Sequence, residues 1–371
     1  MEPEPHQPPL RFYEIDLLRF LAALAVVFYH YTYRGYMADN YSPVPFPALA
    51  PVTKYGYLGV ELFFIISGYV VLRSAQGKTV RQFFLSRVTR LYPAFWVACT
   101  LTYAVKLLWS PVAAGMPSVL HASVLQYLYN LTMLHEFLGV AVMDSVYWSL
   151  TMEITFYGVI ALLISTRLLR RIDWVLAGWL AYAALPGLPH TGPLFSLLFF
   201  PRYAPYFAAG MLFYLLQQPD GRTRWRYGLL LVAYLLSLRT GAKVSQELAV
   251  VFHDSFSNLV AGSAITAFFG VFLLITRARL NFSRLPWLGA WGGLTYPLYL
   301  LHCDIGFITF HQLGGTLNKH VLLVGLVLLM LAAARCINIW VEKQLGQKFA
   351  RQVTAGLNYL SRAKQHPPRR G

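Results

Sequence analysis

Apolar runs closed by short polar stretches recur along almost the whole chain. The runs 14–33, 57–72, 93–109, 147–166, 172–188, 194–216, 227–240, 249–275, 286–309 and 320–341 approach the roughly 20 residues that a helix needs to cross the ~30 Å hydrocarbon layer of a bilayer. The pattern predicts an all-α polytopic membrane helix bundle of about ten transmembrane helices. An eleventh apolar stretch, 118–143, is broken by His121, Gln126, Asn130, His135 and Glu136 and closed by Asp144. Polar groups at that density are not carried through hydrocarbon, so it reads as an interfacial or re-entrant segment.

Composition fixes the solvent. Hydrophobic residues make up 57% and charged residues 12%, with a mean hydropathy of +0.50, whereas a soluble domain carries about 25% charged residues. The formal charge of +16 does not mark a nucleic-acid binder, because the cations sit in short loops between apolar runs and do not alternate with aromatic residues. Their placement instead sets an orientation under the positive-inside rule. With the N-terminus cytoplasmic, the inner side holds Arg11, the 73–92 loop, Arg167/Arg170/Arg171, Arg222/Arg224/Arg226, Arg277/Arg279/Arg284 and the C-terminal tail, together 22 of the 31 Lys and Arg. The outer side holds five, namely Arg34, Lys54, Arg239, Lys243 and Lys319. Counting 118–143 as a crossing would flip every later loop and erase the asymmetry. Both termini are therefore expected in the cytoplasm.

The expected organisation is a disordered N-terminal tail over 1–13, a transmembrane domain over 14–345 and a basic cytoplasmic tail over 346–371. "MEPEPHQPP" and "SRAKQHPPRRG" are rich in Pro and charge, the composition of chains that bury no core. The N-terminal stretch lacks the short apolar core and small-residue cleavage site of a secretory signal. No internal repeat is visible. Cys99, Cys303 and Cys336 lie in or beside separate spans without metal-site or disulfide spacing, so small core residues are expected and no metal.

Ionisable residues inside membrane spans are costly and mark functional candidates. In "EIDLLRFLAALAVVFYH", Arg19 and His30 are eleven residues apart, three helical turns plus about 20°, which places them on one face roughly 16 Å apart. Asp16, three residues before Arg19, is placed to hold the guanidinium. Alone, the pair also fits a span-end arginine and a hydrogen-bonded bundle histidine. The depth of other polar residues argues for more. Glu61 lies near the outer end of the second span, Glu153 about a turn and a half into the fourth, and His302 and Asp304 in the outer half of the ninth. Two imidazoles and three carboxylates at similar depth suit proton transfer. On the inner side, Arg87 and Arg90 share a helix face in "FFLSRVTRLYP", a spacing that suits bidentate phosphate recognition, or the binding of anionic lipid head groups.

In "IDLLRF…FYH", "GYLGVELFFIISGYVV", "FFLSRVTRLYPAFW", "YWSLTMEITFYG" and "LTYPLYLLHCDI" the chain resembles acyltransferase family 3, integral-membrane O-acyltransferases that modify surface polysaccharides, lipids and some metabolites. The motifs keep the family's order across nearly the whole chain. Glu61 stands where Asp is more frequent, and Ile154 replaces a frequent second Glu. No extracytoplasmic hydrolase-like domain follows the tenth span, so a one-domain member is expected to complete transfer itself.

The resemblance implies a multi-pass protein of the bacterial plasma membrane. Its donor would be cytoplasmic acyl-CoA, acetyl-CoA above all, and its acceptor a hydroxyl on a glycan, glycolipid or small metabolite. On that reading Arg87 and Arg90 hold the CoA phosphates, and Arg19 orients the donor or stabilises the oxyanion. His30 acts as general base or as an acyl-imidazole relay, with Glu153 fixing its tautomer. The rival reading from the same buried His and carboxylates is a proton-coupled secondary transporter, which lacks the expected repeat between halves and the paired Gly/Pro-broken spans.

Overall fold

The computed structural model describes residues 12–38, 40–110, 120–185 and 197–346, together with 348, 349, 351, 352 and 355. Residues 1–11 of the expected N-terminal tail and most of the basic C-terminal tail lie outside the described residues, and Tyr13, placed in that tail, already opens the first helix. Among the described residues every regular element is a helix. Seven are long and apolar enough to cross a membrane: α1 (Tyr13–Met37), α2 (Ala50–Ala75), α3 (Val80–Trp109), α5 (Trp148–Ser165), α8 (Arg224–Phe252), α9 (Asn258–Thr276) and α11 (Lys319–Leu345). Further α-helices are α4 (Val124–Asn130), α6 (Ile172–Ala184), α7 (Ala204–Gln217) and α10 (Leu288–Leu313), with short 3-10 helices at Glu136–Leu138 and Leu168–Arg171.

Each of the ten predicted runs contains one of these helices. With 13 and 14 residues, α6 and α7 are shorter than a full crossing. At 26 residues α10 is long enough, but its glycines, tyrosines and polar groups keep it below the apolarity of the seven. Two expected boundaries move. The run read as 227–240 continues as helix to Phe252 and the run read as 249–275 begins at Asn258, because Arg239, Lys243 and Glu247 lower hydropathy without breaking the helix. The break falls at His253, whose φ of 49° is left-handed, just before Ser257 caps the Val260 N–H.

Of the stretch read as 118–143, the described residues 120–143 fold back on themselves. Asn130 Nδ2 donates to the carbonyls of Gln126 and Ala141, at 2.9 Å each, and Asn130 Oδ1 accepts from the Met143 N–H at 2.8 Å. Of the polar residues that interrupt its apolar pattern, Gln126 and Asn130 thus satisfy backbone in a short helix and turns.

The bundle is centred on α7, which is buried on nearly every side, as expected of a helix apolar all round. It crosses α2 at Gly68 and Gly210, where a Cβ on Gly210 would lie 1.9 Å from the Ile65 carbonyl and one on Gly68 2.1 Å from the Phe207 carbonyl. Only glycine permits backbones that close. On the other side, α1 lies between α2 and α10, and α3 packs along α10. The site is built where α1, α2, α5 and α10 meet.

Candidate active site

At His30 the hydrogen-bond ladder of α1 changes to a π-turn over His30–Arg34. Such wide turns recur at functional sites because they re-aim side chains. The imidazole of His30 is buried and its Nδ1 lies 2.8 Å from the Val26 carbonyl and 3.2 Å from His302 Nε2. His302 Nδ1 faces two carbonyls of its own helix, Leu298 at 3.2 Å and Tyr299 at 2.9 Å. Carbonyls only accept, so each Nδ1 carries its proton. Neutral His302 therefore presents a lone pair at Nε2, to which His30 Nδ1–H donates. This leaves His30 Nε2 unprotonated, with no hydrogen-bond partner among the described residues. That is the state a general base requires.

Three adjoining cavities lead from this imidazole to Arg19. The first, of about 170 Å³, is lined by His30, Arg34, Glu61, Trp148, Arg202 and Tyr203 and bounded by Val60 and Tyr299. On the far side of the same two residues lies a cavity of about 100 Å³ containing Arg19, Arg90, Ser149 and Glu153. Arg19 and Arg90 also line the third, of about 270 Å³, with Asp16, Gly292, Tyr296 and Glu342. Gly292 is required here, since a Cβ would fall 2.3 Å from Asp16 Oδ1. The eleven-residue spacing of Arg19 and His30 thus does put both side chains on one row of cavities.

Of the predicted carboxylates, only Glu61 shares a cavity with His30. It is buried, and its Oε2 has no hydrogen-bond partner among the described residues. Across the cavity Arg202 pairs with Glu247 at 2.5 Å. Glu153 stands with Arg19 and Arg90 and accepts a hydrogen bond from Tyr157. The tautomer of His30 is set by Val26 and His302 rather than by Glu153, as expected from sequence, because the first turns of α5 face Arg19.

Asp304 also departs from the expected convergence. Two residues beyond His302, it turns to the other side of α10 and meets Lys106 at 2.7 Å, with both side chains fully buried. Its Oδ1 accepts from the Ser145 N–H at 3.1 Å, and its own N–H donates to Asp144 Oδ2 at 3.2 Å. Asp144, Cys303 and Asp304 bring ligand atoms within 4.8 Å of one another, but the Lys106 ammonium already supplies the cation. Lys106 was not singled out in the sequence, and Asp144 only as the polar end of the 118–143 stretch. The signal was a lysine inside an apolar span without an assigned partner.

The arginine pair is split. Arg90 is exposed and lines two cavities, whereas Arg87 is 8% exposed and lies over the rings of Tyr157 and Phe83, at 5.6 and 5.8 Å. Phosphate recognition by Arg87 and Arg90 together, as their i,i+3 spacing suggested, is not what this geometry offers, because α3 turns Arg87 toward α5. At the opposite end of the row, the turn between α8 and α9 is clamped over α2. Lys54 Nζ reaches Asp254 Oδ2 at 3.2 Å and the Ser255 carbonyl at 2.5 Å, and Tyr33 donates to Asp254 Oδ2 at 2.8 Å. Burial pushes the Asp254 carboxyl up, but hydrogen bonds from Tyr33, the Ser255 N–H and Lys54 outweigh it and hold the group below its ordinary value.

A buried imidazole with an unprotonated nitrogen thus faces one of a row of adjoining cavities that also contains the guanidiniums of Arg19 and Arg90. Residues 12–341 match the family described as the acyltransferase domain, acyltransferase family 3. The chain belongs to this acyltransferase family. Among its relatives are Acyltransferase MdmB of Streptomyces mycarofaciens, 28% identical over 84% of each chain, and Nodulation protein 10 of Rhizobium leguminosarum bv. viciae, 30% identical over 45% of this chain and 47% of the relative. The Peptidoglycan O-acetyltransferase OatA of Listeria monocytogenes is 28% identical over 26% of this chain and 14% of its own length. No solved structure matches the acyltransferase.

Proposed function

We propose that this integral-membrane acyltransferase is an acyl-CoA-dependent O-acyltransferase of the bacterial plasma membrane, with His30 as general base. The donor, acetyl-CoA in the simplest case, enters from the cytoplasm at the Asp16/Arg19/Arg90 end. The acceptor hydroxyl, on a glycan, glycolipid or small metabolite, enters at the His30 end. In this reading the three shorter or more polar helices also belong to the membrane layer, giving about ten passes with both termini cytoplasmic. The Arg-rich loops then face inward. A glycan acceptor accords with the name of the Listeria relative.

The observation that carries the proposal is the commitment of His30 Nδ1 to Val26 and His302, which leaves Nε2 as acceptor in a cavity adjoining that of Arg19. In the reaction His30 Nε2 takes the hydroxyl proton as the oxygen bonds to the thioester carbon. The C–S bond then breaks, and the imidazolium returns its proton to the departing thiolate, which restores the base. While the imidazole is charged, its Nδ1–H bonds become charge-assisted and stronger. Arg19, beside Arg90, orients the donor through its phosphates.

The test is to reconstitute the full chain in lipid nanodiscs with acetyl-CoA labelled in the acetyl group, adding cell-envelope glycans and glycolipids as acceptors. Transfer of label into an alkali-labile ester, with release of CoA thiol in equal amount, is the expected result. Binding of acetyl-CoA without any ester formed would remove the transferase reading.

A further inference from the structure

Between the Arg19 and His30 cavities stands a partition made of two side chains, Val60 from α2 and Tyr299 from α10, each of which lines both. The tyrosine is held at both ends. Phe63 packs on its ring edge-to-face with centroids 5.7 Å apart, and its hydroxyl bonds Ser149 Oγ at 2.6 Å and the Val146 carbonyl at 3.2 Å. Val146 belongs to the turn before α5, which the buried Lys106/Asp144/Asp304 group pins to α3 and α10. Its N–H donates to Asp144 Oδ1 at 3.2 Å, and the neighbouring Ser145 N–H donates to Asp304 Oδ1 at 3.1 Å. A fully buried ion pair is a poor source of net stability, but it fixes a turn well. Here the turn it fixes supplies the carbonyl that holds Tyr299.

We propose that Tyr299 is a positioning residue that keeps the thioester and the His30 cavity apart until the acceptor is bound. The inference rests on the donor and acceptor ends assigned above. A base with a bare lone pair next to a thioester also activates water. Water would add to the carbonyl carbon through oxygen, the C–S bond would break, and one proton taken from water would return to the thiolate, giving free CoA and acetic acid, which releases the second proton to solvent as acetate. Closing the site against water is the general remedy for such loss. The ring of Tyr299 does this while its hydroxyl is latched, and it swings aside when the acceptor fills the His30 cavity.

The test measures the ratio of acetyl-CoA hydrolysis without acceptor to ester formation with envelope glycolipids, using the full chain in nanodiscs. Tyr299→Ala is expected to raise the ratio several-fold over wild type. Val60→Ala thins the same partition from α2 and should raise it in the same direction, so the proposal stays decidable if Tyr299→Ala does not fold. Tyr299→Phe keeps the ring but loses the latch and should give a smaller rise. Loss of packing alone lowers both activities and does not increase hydrolysis. An unchanged ratio in Tyr299→Ala and Val60→Ala, with acetyl-CoA still bound, would overturn the partition and leave the transferase reading intact. A wild-type ratio in Tyr299→Phe would overturn the part assigned to the hydroxyl. Failure of the wild-type chain to bind acetyl-CoA would overturn the donor reading and this proposal with it.

Discussion

At the Arg19 end of the cavity row the side chains that matter are long and charged: Arg19 and Arg90, with Asp16, Glu153 and Glu342 within the same two cavities. At the His30 end Arg34, Glu61 and Arg202 also line the cavity, but the group placed for chemistry is short and fixed, an imidazole locked between Val26 and a second buried histidine. Guanidiniums on flexible stems suit a polyanionic donor that arrives and leaves. An imidazole with one nitrogen committed suits a proton transfer that needs a single geometry. The two ends should therefore fail differently, binding at one and the chemical step at the other.

The largest break in that contrast comes from His30→Ala. Loss of a general base costs on the order of 10²–10⁴ in rate, so kcat should fall by that amount while acetyl-CoA binding and the yield of folded protein stay near wild type. Second is Arg19→Lys, which keeps the charge but removes the planar fork. Loss of a charge-assisted hydrogen bond, about 1.5–3 kcal/mol, corresponds to roughly ten- to a hundredfold in kcat/KM. The arginines of α3 sharpen the contrast further. Arg90→Ala should raise the KM for acetyl-CoA with little change in kcat. Arg87→Ala should instead lower the melting temperature, since its cation–π contacts contribute about 0.5–2 kcal/mol.

The smallest effect is expected at the clamp over α2. Asp254→Asn should cost about 0.2–1 kcal/mol at neutral pH, the range of partly exposed ion pairs. Because the folded-state carboxyl titrates below the ordinary 3.8, its contribution is present above that value and is lost as pH falls through the lower, folded value. Melting curves of wild type and variant should be separated at pH 7 and converge below pH 4.

Much of the fold was legible in the sequence, because a helix in lipid must be apolar over a fixed length and the chain repeats that signal. It failed where charge and helix coexist. Arg239, Lys243 and Glu247 sit within α8, and hydropathy alone cannot tell a polar helical turn from a loop. In the site, the spacing of Arg19 and His30 carried over because both lie on one helix. The link between His30 and His302 spans 272 residues, so only the shared depth of the two spans hinted at it. The buried Lys106–Asp304 pair and the place of Val60 and Tyr299 between cavities depend on how α3, α2 and α10 pack. No local pattern records that.

The central claim is that donor and base meet from opposite ends of one row. A cryo-EM structure of the full chain in nanodiscs with a non-hydrolysable thioether analogue of acetyl-CoA tests it most directly. The account predicts the CoA phosphates beside Arg90 and Arg19 and the acyl end against Tyr299, pointing to His30. An analogue bound with its phosphates at the His30 end, beside Arg34 and Arg202, would contradict it.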